Sequence, residues 1–132
     1  MRGFTLLEVI VALIIAGLAA AALFDAVGSG LHATQVASMY DQAIVRAKSH
    51  LTAATRGTKL AAGDWRGDDG GGFHWRLRVA PAATASVRPL GLVGSRAASS
   101  FQVVLYDVSV WIGWHDGETE RDVRLDTEQV GG

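Results

Sequence analysis

Residues 3–24 read GFTLLEVIVALIIAGLAAAALF, and this stretch decides the fold class. From Val9 to Phe24 every residue is Val, Ile, Ala, Leu, Gly or Phe. A helix rises about 1.5 Å per residue, so residues 4–24 would reach roughly 30 Å, the thickness of the hydrocarbon core of a bilayer. The stretch therefore predicts a transmembrane helix near the N-terminus.

A cleavable secretory signal peptide is the competing interpretation. Such a peptide has a basic region, a short apolar core and a small-residue cleavage site, which Ala19–Ala22 could mimic. Here Arg2 is the only basic residue before the apolar run, the run is longer than usual, and Glu8 stands at its start. The sequence favours a retained helix with a cytoplasmic N-terminus, because Arg2 precedes the run and Asp25 is the first charge after it.

Glu8 is the anomaly of this helix. An ionisable group inside a membrane helix costs a few kcal/mol on insertion scales and marks function by default. A cationic partner would compensate for that cost. A cut after Gly3 would create a free amine at Phe4, about one helical turn from Glu8. The same amine could instead meet the Glu8 of a neighbouring chain.

The run Gly3-Phe4-Thr5-Leu6-Leu7-Glu8, followed by an apolar stretch, resembles the processing motif of type IV prepilins and type II secretion pseudopilins. In that family a membrane-embedded prepilin peptidase cuts after the glycine and methylates the new N-terminal Phe. The resemblance implies cleavage between Gly3 and Phe4 and an N-methylated Phe4. It also assigns Thr5 and Glu8 to assembly, where Glu8 pairs with the N-terminal amine of an adjacent subunit and sets the stagger between subunits.

Beyond Asp25 the helical pattern continues as an amphipathic segment. Gly28 and Gly30 are places for a bend, and a break into two helices there is the alternative. Arg56 and Gly57 fit the end of the helix. The apolar residues recur at spacings of three to five along one face: Leu31, Val36, Met39, Tyr40, Ala43, Ile44, Ala47, Leu51 and Ala54.

The remaining residues predict a small antiparallel sheet. Phe73–Val79 alternates strictly between apolar and polar residues, which indicates a half-buried strand. Val103–Trp114 is expected as a second strand, with Val104, Tyr106, Val108, Val110 and Ile112 on its apolar face. Asp116-Gly117 signals a hairpin turn before a third strand from about Arg121 to Thr127, with Val123 and Leu125 inward.

Two segments look like connections. Gly63–Gly72 is a loop by composition, and Pro81–Ser100 is a long Ala-, Ser-, Gly- and Pro-rich connection with a short apolar piece at Leu90–Val93. We expect three or four strands against the amphipathic half of the helix. The expected aromatic contributors to the core are Trp75, Trp111, Trp65 and Tyr40, and for Trp111 and Trp114 a partner-facing patch is the alternative to a core position.

The composition excludes several classes of function. The 132 residues carry a formal net charge of −1 and show no basic stripe, so no nucleic-acid partner is expected. There is no cysteine, hence no disulfide, no thiol nucleophile and no thiolate metal site. Asp64, Asp68 and Asp69 could aim oxygen ligands at calcium, but the EF-hand spacing is absent and a solvated loop is preferred.

The histidines form no ligand pair at zinc spacing, so surface or rim positions are expected: His32, His50, His74 and His115. Neither a serine-nucleophile context nor a phosphate-binding loop is present. We therefore predict no cofactor, no metal and no enzymatic activity.

The resemblance implies an α+β, pilin-like fold with a long N-terminal helix packed on a small antiparallel sheet. Its expected divisions are a cleaved leader at 1–3, a transmembrane half-helix at 4–24 and a periplasmic globular domain at 25–132. Length, the lack of cysteine and the Trp-containing strand make the chain most similar to the I-type minor pseudopilin, although residues 81–100 form a longer insertion than expected.

That subtype implies structural work in the bacterial inner membrane, at the tip of the type II secretion pseudopilus. The implied partners are J-type and K-type minor pseudopilins and other pseudopilins. The partner-binding face would include Leu31, Val36, Tyr40, Ile44 and Leu51. A minor type IV pilin for pilus assembly, adhesion or DNA uptake is the alternative, and a secreted enzyme is a third hypothesis that Glu8 disfavours.

Overall fold

The computed structural model describes residues 3–57, 59–88 and 100–131. Within those residues one helix is followed by four strands: α1 (Leu6–Thr55), β1 (Gly63–Gly70), β2 (Phe73–Val87), β3 (Phe101–Asp116) and β4 (Thr119–Gly131). The chain divides into two compact units, one up to Met39 and one from Tyr40 onward. The predicted α+β, pilin-like class is confirmed.

Helix α1 is unbroken over 50 residues, as the apolar pattern predicted. The alternative of a break at Gly28–Gly30 is wrong, since both glycines lie within the helix. The helix begins at Leu6. It ends at Thr55, two residues before Gly57, and Gly57 does not adopt the left-handed conformation of a capping glycine.

The first unit contains the apolar half of α1. Its large apolar side chains are exposed, with Leu13, Leu18 and Leu23 each 67 % accessible, a pattern that suits lipid better than water. By length and composition, α1 is the one helix of the described residues that qualifies to cross a membrane.

In the second unit the helix packs against the sheet through its smallest side chains. Ala43 and Ala47 are fully buried and lie four residues apart, on one face of the helix. The side chains beside them are larger and only partly covered, as for Ile44 and Leu51. Arg46 is half-buried, and its guanidinium carbon lies 4.5 Å from the Phe73 ring centroid.

The four strands form one antiparallel sheet in the order β1-β2-β3-β4. The helix-facing side follows the predicted alternation in β2 and β3, and its buried members are apolar: Phe73, Val79, Val108, Val110, Ile112 and Trp114. Trp114, the largest of them, is only 1 % exposed. In β4 the predicted inward positions Val123 and Leu125 are half-buried, and the hairpin signal at Asp116-Gly117 is confirmed by Gly117 with φ 64°.

The predicted loop at Gly63–Gly72 is wrong over most of its length, because Gly63–Gly70 is strand β1. Its composition disfavours a strand, but β2 supplies compensating contacts. The Trp75 ring lies so close to Gly67 that an added Cβ would collide with it. Only Gly71 and Gly72 form the turn, both with positive φ.

The predicted connection from Pro81 to Ser100 is wrong in its first part. β2 continues to Val87 and pairs with β3 as far as Phe101, with an irregularity between Pro81 and Ala83. The apolar piece at Leu90–Val93 lies outside the described residues.

The expected aromatic core is partly wrong. Trp65 is 43 % exposed. Side chains alternate between the two faces of a strand, and the buried large apolar residues of β3 have even numbers, so Trp111 lies on the sheet face away from the helix. Trp75 and Tyr40 are half-buried on the helix side.

Candidate processing and assembly site

The scissile bond predicted between Gly3 and Phe4 lies in non-helical backbone just before α1. Gly3, Phe4 and Thr5 are described without regular secondary structure, and Phe4 is 87 % exposed. A peptidase needs an accessible bond outside regular hydrogen bonding, and this segment meets both conditions.

Thr5 and Glu8 form a reciprocal cap on the first turn of the helix. The Thr5 backbone N–H donates to Glu8 Oε2 at 3.1 Å, and the Thr5 hydroxyl donates to the same oxygen at 3.4 Å. In return the Glu8 backbone N–H lies 3.3 Å from Thr5 Oγ1. This is a capping box, with Thr5 at the N-cap and Glu8 at the third helical position. Both residues belong to the sequence motif, but the motif does not predict the capping interaction between them.

The cap fixes where the Glu8 carboxylate points. Its Oε2 is held back toward the N-terminal end of the helix, in the direction of Phe4. The same side chain borders a shallow groove of about 600 Å³, together with Phe4, Val9, Ala12 and other apolar residues. Within a bilayer such a carboxylate favours a cationic partner, because an ionised group in apolar surroundings is costly unless it is paired.

Residues 1–24 match the family model of the prokaryotic N-terminal methylation motif. The match supports the type IV pilin or pseudopilin family, whose members are generally structural and non-enzymatic. Comparison with curated proteins and with solved structures gave no match. The methylation motif, together with the one membrane-length apolar helix found among the described residues, suggests a membrane-anchored, single-pass protein.

The predicted partner-binding residues occupy two kinds of position. Leu31 is 68 % exposed, whereas Val36, Tyr40, Ile44 and Leu51 are half-buried. In the second unit the Tyr40 and Trp114 rings form a T-shaped pair, at a centroid distance of 4.9 Å. Val45, which is not among the predicted residues, is 66 % exposed beside Ile44.

The three aspartates considered as calcium ligands each have a different partner. Asp64 accepts from Arg76, Asp68 accepts the Gly70 backbone N–H at 2.6 Å, and Asp69 lies 2.9 Å from His50 Nε2. The hydrogen bond from Arg76 lowers the pKa of Asp64. Among the described residues, no three His, Asp or Glu side chains already stand where they could hold a metal ion.

A row of side chains on the outer sheet face was not foreseen. Trp111 lies opposite Arg76 on β2 and opposite Arg124 on β4. The two guanidinium carbons are 5.3 Å and 5.0 Å from the indole ring centroid, within the range of cation–π attraction. The pairing register of the strands brings these residues together. The alternation of apolar and polar residues along a strand does not predict that register, so the sequence did not reveal this contact.

Asp126, on the same outer face of the sheet, is a carboxylate that accepts two hydrogen bonds. The Ser109 hydroxyl donates to Asp126 Oδ1 at 2.5 Å, and Arg124 Nε donates to the same oxygen at 2.8 Å. The hydrogen bond from Ser109, followed by that from Arg124, lowers the pKa of Asp126.

Proposed function

We propose that this chain is a minor pseudopilin of a type II secretion system, a structural subunit that helps to form the pseudopilus tip and to start its assembly for protein export. The observation that carries the proposal is the capped Glu8, four residues after the exposed Phe4 and at the head of a long apolar helix.

The proposed chemistry of assembly follows from charge and position. Cleavage after Gly3 gives Phe4 a positive amine, and methylation of an amine nitrogen leaves that charge in place. In the bilayer an unpaired Glu8 is costly, and so is an unpaired amine. Pairing the amine of one subunit with the Glu8 of the next lowers both costs and specifies the stagger between the two helices.

The lack of cysteine favours the pseudopilin over the fibre-forming pilin, because pilins of the fibre usually close a C-terminal loop with a disulfide. The I-type subtype is supported by the resemblance of the Trp-containing strand, which is β2.

The proposed partners are the J-type and K-type minor pseudopilins, other pseudopilins, and the prepilin peptidase that processes the chain. In the first unit we propose the exposed Leu31 as a direct contact, with Val36 as a further contact residue. In the second unit we propose the exposed Val45 as a direct contact, with Ile44 and Leu51 as further contact residues and Tyr40 supporting them from the core. The globular part from residue 25 onward would lie in the periplasm, with the helix in the inner membrane.

Intact-mass analysis and N-terminal sequencing of the protein from its native membrane test the processing step. The expected product begins with N-methylated Phe4. A product that begins after the alanine run near Phe24, without a methyl group, would refute the proposal and leave an exported domain with a cleaved signal.

Deletion of the chain in its host separates the two related systems. A minor pseudopilin is expected to be required for accumulation of exported proteins outside the cell, with surface pili unaffected. Loss of surface pili with normal protein export would instead identify a minor type IV pilin.

A further inference from the structure

An extra residue in β2 changes which of its side chains lie on the outer face of the sheet. Pro81 lies opposite Tyr106, and Ala83 lies opposite the next residue, Leu105, so Ala82 is left over in the pairing. Because side chains alternate along a strand, one extra residue moves all the following ones to the other face. The outer positions of β2 have even numbers before Ala82 and odd numbers after it.

This change creates an apolar patch at one end of the outer face. Phe101 and Val130, both in the patch, are 53 % and 62 % exposed. A contiguous exposed apolar surface next to polar residues marks an interaction site. The outer apolar patch consists of Ala83, Ala85 and Val87 on β2, Phe101, Val103 and Leu105 on β3, and Val130 on β4.

Opposite charges lie at the two ends of the outer apolar patch. Arg88 follows Val87 directly and is exposed. At the other end, Asp107 on β3 is directly opposite Glu128 on β4, and both are exposed. Within the described part of the chain neither carboxylate forms an ion pair. Two like charges in opposite positions destabilise a sheet, so a cation between them would be favourable.

We propose that the outer apolar patch binds a second copy of this chain, with the two patches face to face and antiparallel. A two-fold axis through the middle of the patch would place Arg88 of each copy against Asp107 and Glu128 of the other. The distance from Phe101 to Asp107 is six residues of strand, roughly 20 Å, and the apolar side chains fill it. A parallel arrangement would instead bring like charges together.

The proposed contact differs in place from the partner surface on the helix. The patch lies on the sheet face away from α1, so a second copy bound there would leave Val45 accessible to another subunit. This self-association therefore adds a contact to the proposed assembly role and does not depend on which secretion or pilus system the chain serves.

The size of the patch predicts a weak association. Three strands about 4.8 Å apart and roughly 20 Å long cover about 300 Å². A standard protein interface buries about 800 Å² on each partner. Two copies held in one membrane or micelle have a high effective concentration, which offsets a low affinity. Cross-linking is therefore the appropriate measurement.

The absence of cysteine makes a site-specific cross-link straightforward. Ala85 lies opposite Val103 in the middle of the patch, close to the expected two-fold axis. Ala85→Cys in the full-length chain in detergent micelles should form a disulfide-linked homodimer on mild oxidation. Thr84→Cys is the matched control, because Thr84 is exposed but lies on the opposite face of the same strand. We expect little or no dimer from it.

Charge exchange tests the antiparallel arrangement. In the Ala85→Cys chain, Arg88→Glu should lower the dimer yield to that of the Thr84→Cys control, and so should Asp107→Lys combined with Glu128→Lys. Joining all three changes in one chain should restore the dimer, because the two ends again carry opposite charges. These positions are exposed, and circular dichroism checks that each variant is folded.

Several outcomes would overturn the proposal: no dimer from Ala85→Cys, equal dimer from Thr84→Cys, or no recovery when the charges are exchanged. A photo-reactive phenylalanine derivative at position 85 identifies the occupant in native membranes. A homodimer supports the proposal, whereas a cross-link to a different protein alone would show that the patch receives another partner.

Discussion

Tyr40 on the helix meets Trp114 on β3 edge to face, with ring centroids 4.9 Å apart and ring planes at 89°. The Tyr40 hydroxyl also accepts from Arg121 on β4, at 3.4 Å. Phe73 on β2 lies 5.8 Å from the same indole, so Trp114 contacts rings from two elements. This cluster joins the helix to three neighbouring strands.

Replacing Trp114 by Ala should lower the free energy of unfolding by about 3–5 kcal/mol, the usual cost of removing a fully buried aromatic side chain. Trp111→Ala is the matched control, since Trp111 lies three residues away on the outer face. We expect a loss of about 1–2 kcal/mol there, because two exposed cation–π contacts are worth roughly 0.5–1 kcal/mol each. Urea unfolding followed by circular dichroism measures both, and an equal loss in the two variants would contradict the assigned core.

The contact between helix and sheet depends on alanine. Ala47 is fully buried where the helix packs on the strands, whereas Ala53 is exposed. Ala47→Leu should destabilise the fold by about 1–3 kcal/mol through overpacking. Ala53→Leu changes the same atoms and should lie within about 0.5 kcal/mol of the wild type. A neutral Ala47→Leu variant would contradict the close packing of the helix on the sheet at this position.

The helix and the outlines of three strands could be predicted because their signals are local. A run of apolar residues sets the membrane half of α1, and spacing sets the face that includes Ala43 and Ala47. Strict alternation in Phe73–Val79 identified the buried side of β2. Each of these patterns requires only neighbouring residues in the chain.

What could not be predicted depends on contacts between strands. β1 is rich in Gly and Asp, and its strand state is supported by β2, through Trp75 over Gly67 and Arg76 on Asp64. The place of Trp111 depends likewise on Arg76 and Arg124. At the candidate site the motif predicted Glu8, whereas the cap by Thr5 required backbone geometry.

The Asp64–Arg76 pair predicts a defined pH dependence. Because the hydrogen bond from Arg76 lowers the pKa of Asp64, the pair contributes stability above the ordinary carboxyl pKa. That contribution is lost as the pH falls through the lowered folded-state pKa. Asp64→Asn should therefore be less stable than the wild type at pH 7, with the difference shrinking toward strongly acidic pH. Thermal melts across the acid range measure this, and a difference independent of pH would argue against the ion pair.

Glu8 has two separable roles, a cap and a charge, and substitutions can divide them. Glu8→Gln keeps an acceptor for the Thr5 backbone N–H, since glutamine also serves in capping boxes, but it removes the charge. Thr5→Ala removes the hydroxyl, keeps the charge, and should weaken the first turn by about 0.5–2 kcal/mol. If the amine of a neighbouring subunit pairs with Glu8, Glu8→Gln should be processed to Phe4 yet fail to cross-link to neighbouring subunits.

Thr5→Ala should retain much of that cross-linking, and Glu8→Ala, which loses both roles, should fail as Glu8→Gln does. The measurement is cross-linking in native membranes, with intact mass as the control for processing. Assembly of Glu8→Gln at the wild-type level would show that the charge is dispensable. If Thr5→Ala failed to assemble to the same extent as Glu8→Gln, the cap would be the feature that assembly requires. Thr5→Ala keeps the charge of Glu8, so its failure could not come from the loss of a salt bridge.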